Sequence, residues 1–206
     1  MIHIEHQPYK MSFAVGGLLL NESVEVARLH APSETWDATM RRALDEGIVP
    51  LPKAASRRRM LREIVNRVSA LNGEELDYLV EEAGRPDQQA LLWLATCRAY
   101  RFVREFATEV IRERYLSYQL HLPLESFDIL FAAKAEWDDC LALISPATRS
   151  KLRQVLFRMM REANVISDDN RILSAYISPR LKVLVREKSP QDLVLFPGLA
   201  REGGIS

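Results

Sequence analysis

The segment from Ser145 to Asn164 constrains the fold more than any other, because its start, its stop and its buried face are all written locally. Ser145-Pro146 is a helix start: the serine oxygen accepts from an orphan backbone N–H, and proline is pre-set for the first helical position. Leu152, Val155, Leu156, Met159, Met160 and Ala163 recur at three- and four-residue steps, which places them on one stripe. Asn164 tolerates the left-handed conformation wanted just past a helix end.

The opposite arc of that helix carries Ser150, Lys151, Gln154, Arg158 and Arg161. Lys and Arg donate to phosphate oxygens, and Gln is a bidentate partner for adenine. Beyond Asn164, Val165-Ile166 and Ile172 to Ile177 read as two short strands around Ser167-Asp168-Asp169-Asn170-Arg171. A basic helix leading into a small hairpin is the pattern of a winged helix-turn-helix, and it makes DNA the first partner to test. Every amphipathic helix has a polar outer face, however, and winged helices also serve as protein-docking modules, so the fold does not fix the function.

With 206 residues the chain is long enough for one large or two small domains with a real core. Lys plus Arg and Asp plus Glu both number 28, so any nucleic-acid site must be a local patch. Lys53 to Arg67 and Arg149 to Arg161 are basic, while Glu74 to Asp87 and Glu125 to Asp139 are acidic. Cys97 and Cys140 sit among apolar residues, which predicts two buried thiols in a reducing cytosol. The N-terminus lacks a cleavable leader pattern. The apolar run Phe13 to Leu20 is far short of the roughly 20 residues a bilayer demands, so a cytoplasmic protein without membrane contact is expected.

The chain reads as mainly α: a helical N-terminal bundle over residues 1–122, then a winged-helix-like domain over residues 123–206. Met1 to Ser12 reads as an extended arm. Asn21 and Ser33 are candidate caps for the first two helices, and Gly47, Pro50 and Pro52 mark a rigid connection. Ala54 to Leu71 is a helix whose first turns are crowded by Arg57, Arg58, Arg59 and Arg62. Cations there oppose the helix dipole, which invites a specific cause: phosphate binding, or ion pairing with the acidic Glu74 to Glu82 segment. Asn72 to Glu82 is a short helix. Asp87 to about Leu120 is helical throughout in pattern, as one long helix or as two with a break near Tyr100, with an outer face of Arg98, Arg101, Arg104, Arg112 and Arg114. Leu124 to Trp137 and a brief turn at Asp138 to Ile144 precede the basic helix.

No catalytic chemistry emerges. His3, His6, His30 and His121 are scattered, which argues against zinc. Glu81-Glu82 and Asp138-Asp139 are sequence neighbours pointing to different helix faces. The Ser167 to Asn170 stretch suits a turn better than a calcium loop, and Gly16-Gly17 is not followed by a phosphate-loop Lys. The reading is a protein that is not an enzyme and needs no cofactor.

The opening Tyr9-Lys10-Met11-Ser12-Phe13, continuing through Gly16-Gly17-Leu18-Leu19-Leu20-Asn21-Glu22-Ser23, resembles that of the BrxA family of bacteriophage-exclusion (BREX) defence systems. The resemblance extends to the arginine-rich helix at Ser56 to Leu71 and to the Ser145 to Ile166 helix and strand. It implies a helical accessory protein with winged-helix character that binds double-stranded DNA and works beside a methyltransferase and ATPases of the same defence cluster. Asn164 stands where glycine is common in that pattern. The family brings no catalytic residues, so the candidate contacts come from the residue reading. They are Thr148, Ser150, Lys151, Gln154 and Arg158 on the helix, Arg171 on the wing, and Arg57, Arg58 and Arg59 as a second phosphate patch. The competing reading is an adaptor whose winged helix docks on another defence subunit.

Overall fold

A computed structural model describes residues 9–199; His3, His6 and most of the expected N-terminal arm lie outside them. The described chain is mainly helical, as expected. α1 (Leu20–Leu29), α3 (Ala54–Val68) and α4 (Gly73–Glu81) pack on α5 (Arg85–Ala99), and α2 (Trp36–Asp45) packs outside on α1 and α3. Seven consecutive residues of α5, Leu91 to Cys97, are buried, so this helix is the axis of the protein. A helix enclosed on all sides has no outer face, and Arg98, expected to face solvent, turns instead onto Glu75 and Asp192.

Local chemistry sets the boundaries. α4 begins with a capping box, Asn72 accepting from the Glu75 N–H while the Glu75 carboxylate accepts from the Asn72 N–H. Thr35, two residues past Ser33, caps α2. α1 has no side-chain cap: Leu19 occupies the left-handed region at φ 56°, and Asn21 accepts from Arg85. The break falls at Tyr100, which is extended at φ −128°, ψ 105°. Beyond it α6 (Arg101–Glu105) passes through a π-helical stretch, Phe106–Ile111, into α7 (Arg112–Leu116). The Thr108 hydroxyl donates to the carbonyls of Arg104 and Glu105 there.

α8 (Glu125–Ala135), the single turn α9 (Asp139–Ala142) and α10 (Pro146–Glu162) follow. Asp138 caps α9 and Ser145 caps α10, with Pro146 in its first turn. Asn164 takes up the left-handed conformation at φ 55°. The expected hairpin does not form: among the described residues there is no strand, only isolated bridges between Ile166 and Ile172 and between His121 and Arg171. The groups that would have continued a ladder have other partners. The Ala175 N–H donates to the Pro197 carbonyl and the Ser178 N–H to Asp87. Ser178 then caps α11 (Pro179–Lys188), and a 3-10 turn, Pro190–Leu195, lies against α5.

One core joins these elements. Phe102, Phe106, Phe127, Phe131 and Phe157 form a chain of ring contacts from α6 through α8 to α10. Phe13 closes the other side against Tyr100, ring centroids 5.3 Å apart. Buried polar groups are paired across it: the Arg98 guanidinium bridges Glu75 and Asp192, and Arg104 reaches the other oxygen of Asp192. Cys97 is fully buried, and that burial pushes its thiol pKa up; Cys140, expected to be buried, is exposed on α9. No helix among the described residues is long and apolar enough to cross a membrane.

Candidate nucleic-acid interface

α10 places its apolar stripe inward as the periodicity requires: Leu152, Val155, Leu156, Met159 and Met160 are all buried. The opposite side therefore faces water. Lys151, Gln154 and Arg158 are exposed at steps of three and four and form one stripe, with exposed Thr148 and half-buried Ser150 at its edges. Thr148 is committed in part to the start of the helix, where its N–H donates to the Ser145 hydroxyl at 3.2 Å.

The five cations of α10 divide sharply. Arg149 and Arg153 turn sideways onto Asp128 of α8, and Arg149 also stacks over the Phe131 ring. Arg161 donates to Asn170 at 2.8 Å and braces the turn that follows the helix. Arg158 pairs with Glu162 at 2.8 Å, one helical turn on. Among the described residues Arg161 has no ion pair, and Lys151 has neither an ion pair nor a side-chain hydrogen bond. Arg171 is exposed too, but Asp169 stands in the same turn, and the Ser167 hydroxyl together with Arg171 holds the Asp169 carboxyl below its usual pKa. The turn is thus electrically mixed, and the cationic character lies on the helix.

The arginines of α3 are settled in a different way. Arg57 donates to the carbonyls of Leu51 and Pro52 and pins the proline-rich connection, at 2.7 and 3.3 Å. Arg58, Arg59 and neighbouring Arg62 are exposed. Ion pairing with α4 does not account for them: Glu74 pairs with Lys188, Glu75 with Arg98 and Glu82 with Arg180. Further along α3, Arg67 is buried and donates to the Gly17 carbonyl at 2.7 Å.

Sequence reasoning missed the groups that support Arg158. A groove of about 330 Å³ lies between the start of α1, the start of α5 and the end of α10, and Arg85, Gln89, Arg158 and Glu162 line it. Gln89 donates to the Glu162 carbonyl and accepts from Asn164. Glu162 also accepts from the Leu18 N–H, so the Gly-Gly loop is held by the end of the basic helix. Arg62 was visible in the sequence, but the convergence of Arg85 and Gln89 on α10 had no local signal.

A helical protein whose basic helix is fixed by its own carboxylates is the class that this geometry defines. The family model described as BrxA matches residues 7–189, and the chain belongs to the BrxA family. The "BREX protein BrxA" of Bacillus cereus (strain H3081.97) is 24% identical over 168 residues, covering 80% of this chain and 82% of that protein. A crystal structure of an uncharacterized protein from Magnetospirillum magneticum superposes with a TM-score of 0.77 at 21% identity, over 94% of this chain and 100% of that one. That structure supports the fold alone.

Proposed function

We propose that this chain is a non-catalytic accessory protein of a BREX-type phage-defence system that binds double-stranded DNA through the outer face of α10, with little dependence on sequence. The observation that carries the reading is the exposed Lys151–Gln154–Arg158 stripe on a rigid, capped helix. Arg58, Arg59 and Arg62 supply a second patch. A winged-helix arrangement is supported by the order α8, α9, α10, tight turn. Leu120 and Leu122 hydrogen-bond to that turn from its other side, through Ile172 and Asn170. Partner subunits, a methyltransferase or ATPases, are proposed from family membership.

The stripe carries few free cations, so binding rests on a handful of phosphate contacts and weakens steeply with salt. A duplex mobility shift tests it. Lys151→Glu with Gln154→Glu is expected to weaken binding at least tenfold with an unchanged melting temperature. Full binding by that variant removes α10 as the contact surface. A protein partner lost on the same substitutions, with no shift of duplex by the native chain, would establish the adaptor reading instead.

A further inference from the structure

We propose that the outer side of α8 and α9 is a docking surface for a basic, amphipathic helical segment of a partner protein. α8 is apolar on both sides. Its inner side, Phe127, Leu130 and Phe131, fills the core. Its outer stripe, Glu125, Ile129, Ala132, Ala133 and Glu136, follows helical spacing and is exposed throughout. Trp137, at the end of the stripe, is 81% exposed, and Leu143, just past α9, is 86% exposed. Three large apolar side chains, Ile129, Trp137 and Leu143, exposed within fifteen residues on two packed helices and the turns beside them, point to an interaction site.

Charge selects the occupant. Lys134, the one cation of α8, is drawn onto Glu105 and Glu109, and Arg149 and Arg153 of α10 are drawn onto Asp128. Glu125, Glu136 and Asp139 remain exposed around the apolar residues, with no ion-pair partner among the described residues. That rim repels a phosphate backbone or an anionic lipid surface. It also opposes a symmetric contact between two copies, which would bring the same carboxylates face to face. It fits a helix with apolar anchors at three- and four-residue spacing and Lys or Arg beside them. The eleven residues of α8 span about 16 Å, enough to seat three turns of such a helix. The surface shares no residue with the α10 stripe, so the inference stands whether or not that stripe binds DNA.

Cys140 lies on this corner and is exposed, whereas Cys97 is fully buried, so maleimide labelling reads the surface directly. The probe is a 14-residue helical peptide of leucine and lysine; a leucine–glutamate peptide of the same pattern is the control, and both are added to the full chain. The lysine peptide is expected to slow labelling of Cys140 at least fivefold and to shift tryptophan emission to the blue, and the glutamate peptide to do neither. Trp137→Ser with Leu143→Ser is expected to abolish both effects without changing the melting temperature. Equal effects of the two peptides, or no effect of either, overturn the proposal. So does labelling that slows as protein concentration rises, which assigns the surface to a second copy. Labelling that is slow from the outset assigns it to the chain itself, and protection by duplex DNA assigns it to nucleic acid; each also overturns it.

Discussion

Gly17 and Glu162, from opposite ends of the chain, meet so closely that a β-carbon on the glycine would overlap both carboxylate oxygens. The absent side chain lets Glu162 reach the Leu18 N–H while still pairing with Arg158. Gly17→Ala is expected to displace the carboxylate and cost about 1–3 kcal/mol. Glu162→Ala removes the same bond and relieves the overlap, so the double variant is expected to be no less stable than Glu162→Ala alone. Urea denaturation of the four proteins of that cycle measures the coupling, and strict additivity would refute the contact.

Arg98 is the hinge of the buried charge network, joining Glu75 of α4 to Asp192 of the C-terminal turn. Glu75 is fully buried and Asp192 nearly so. Arg98→Met keeps the aliphatic volume but leaves Glu75 without its cation and Asp192 with Arg104 alone, an expected loss of about 3–5 kcal/mol. Denaturation with an unchanged m-value would confirm a pure stability effect.

Glu105 titrates with the fold. Burial alone would raise its pKa, but hydrogen bonds from Tyr9, Arg101 and Lys134 outweigh that and hold it below the ordinary range of a glutamate. A carboxyl with a depressed folded-state pKa contributes stability that is present above the unfolded value and lost as pH falls through the folded one. Glu105→Gln is therefore expected to lower the melting temperature at pH 7. The two melting curves should converge as the pH drops below 4. A constant gap between them across that range would show that the carboxylate's charge is irrelevant.

The two basic patches separate by salt dependence. If about four phosphates are contacted, log affinity falls with log salt at a slope of roughly −4. Arg58→Glu with Arg59→Glu is expected to make that slope shallower by about 2 if α3 touches the backbone, and to leave it unchanged if α10 acts alone. Titrations of random duplex at several salt concentrations give the answer.

The thiols should react in two phases. Cys140 is expected to titrate with a thiol reagent in the native protein, and Cys97, enclosed in α5, only after denaturant is added. Two fast thiols would mean that the centre of α5 opens readily.

Much of the helical layout was legible locally. Ser145-Pro146, the Asn72–Glu75 capping box, the left-handed Asn164 and the break at Tyr100 all depend on residues within a turn of one another. The Val165 to Ile177 stretch was read as a hairpin because its composition suits strands. Pairing stops after the Ile166–Ile172 bridge, because the N–H groups of Ala175 and of Ser178 just beyond the stretch donate to Pro197 and Asp87, which no local window contains.

The candidate site divides along the same line. Amphipathic spacing on α10 fixed which side chains point outward, since helical geometry assigns a face to every residue. Glu162 takes Arg158 from one turn along the same helix, a pair within local reach, but the loss of Arg149 and Arg153 to Asp128 from α8 was decided only in three dimensions. The periodicity of a helix is short-ranged and survives in sequence. Charge pairing depends on which distant carboxylate the packing of the core brings within about 4 Å, and that is a property of the folded chain alone.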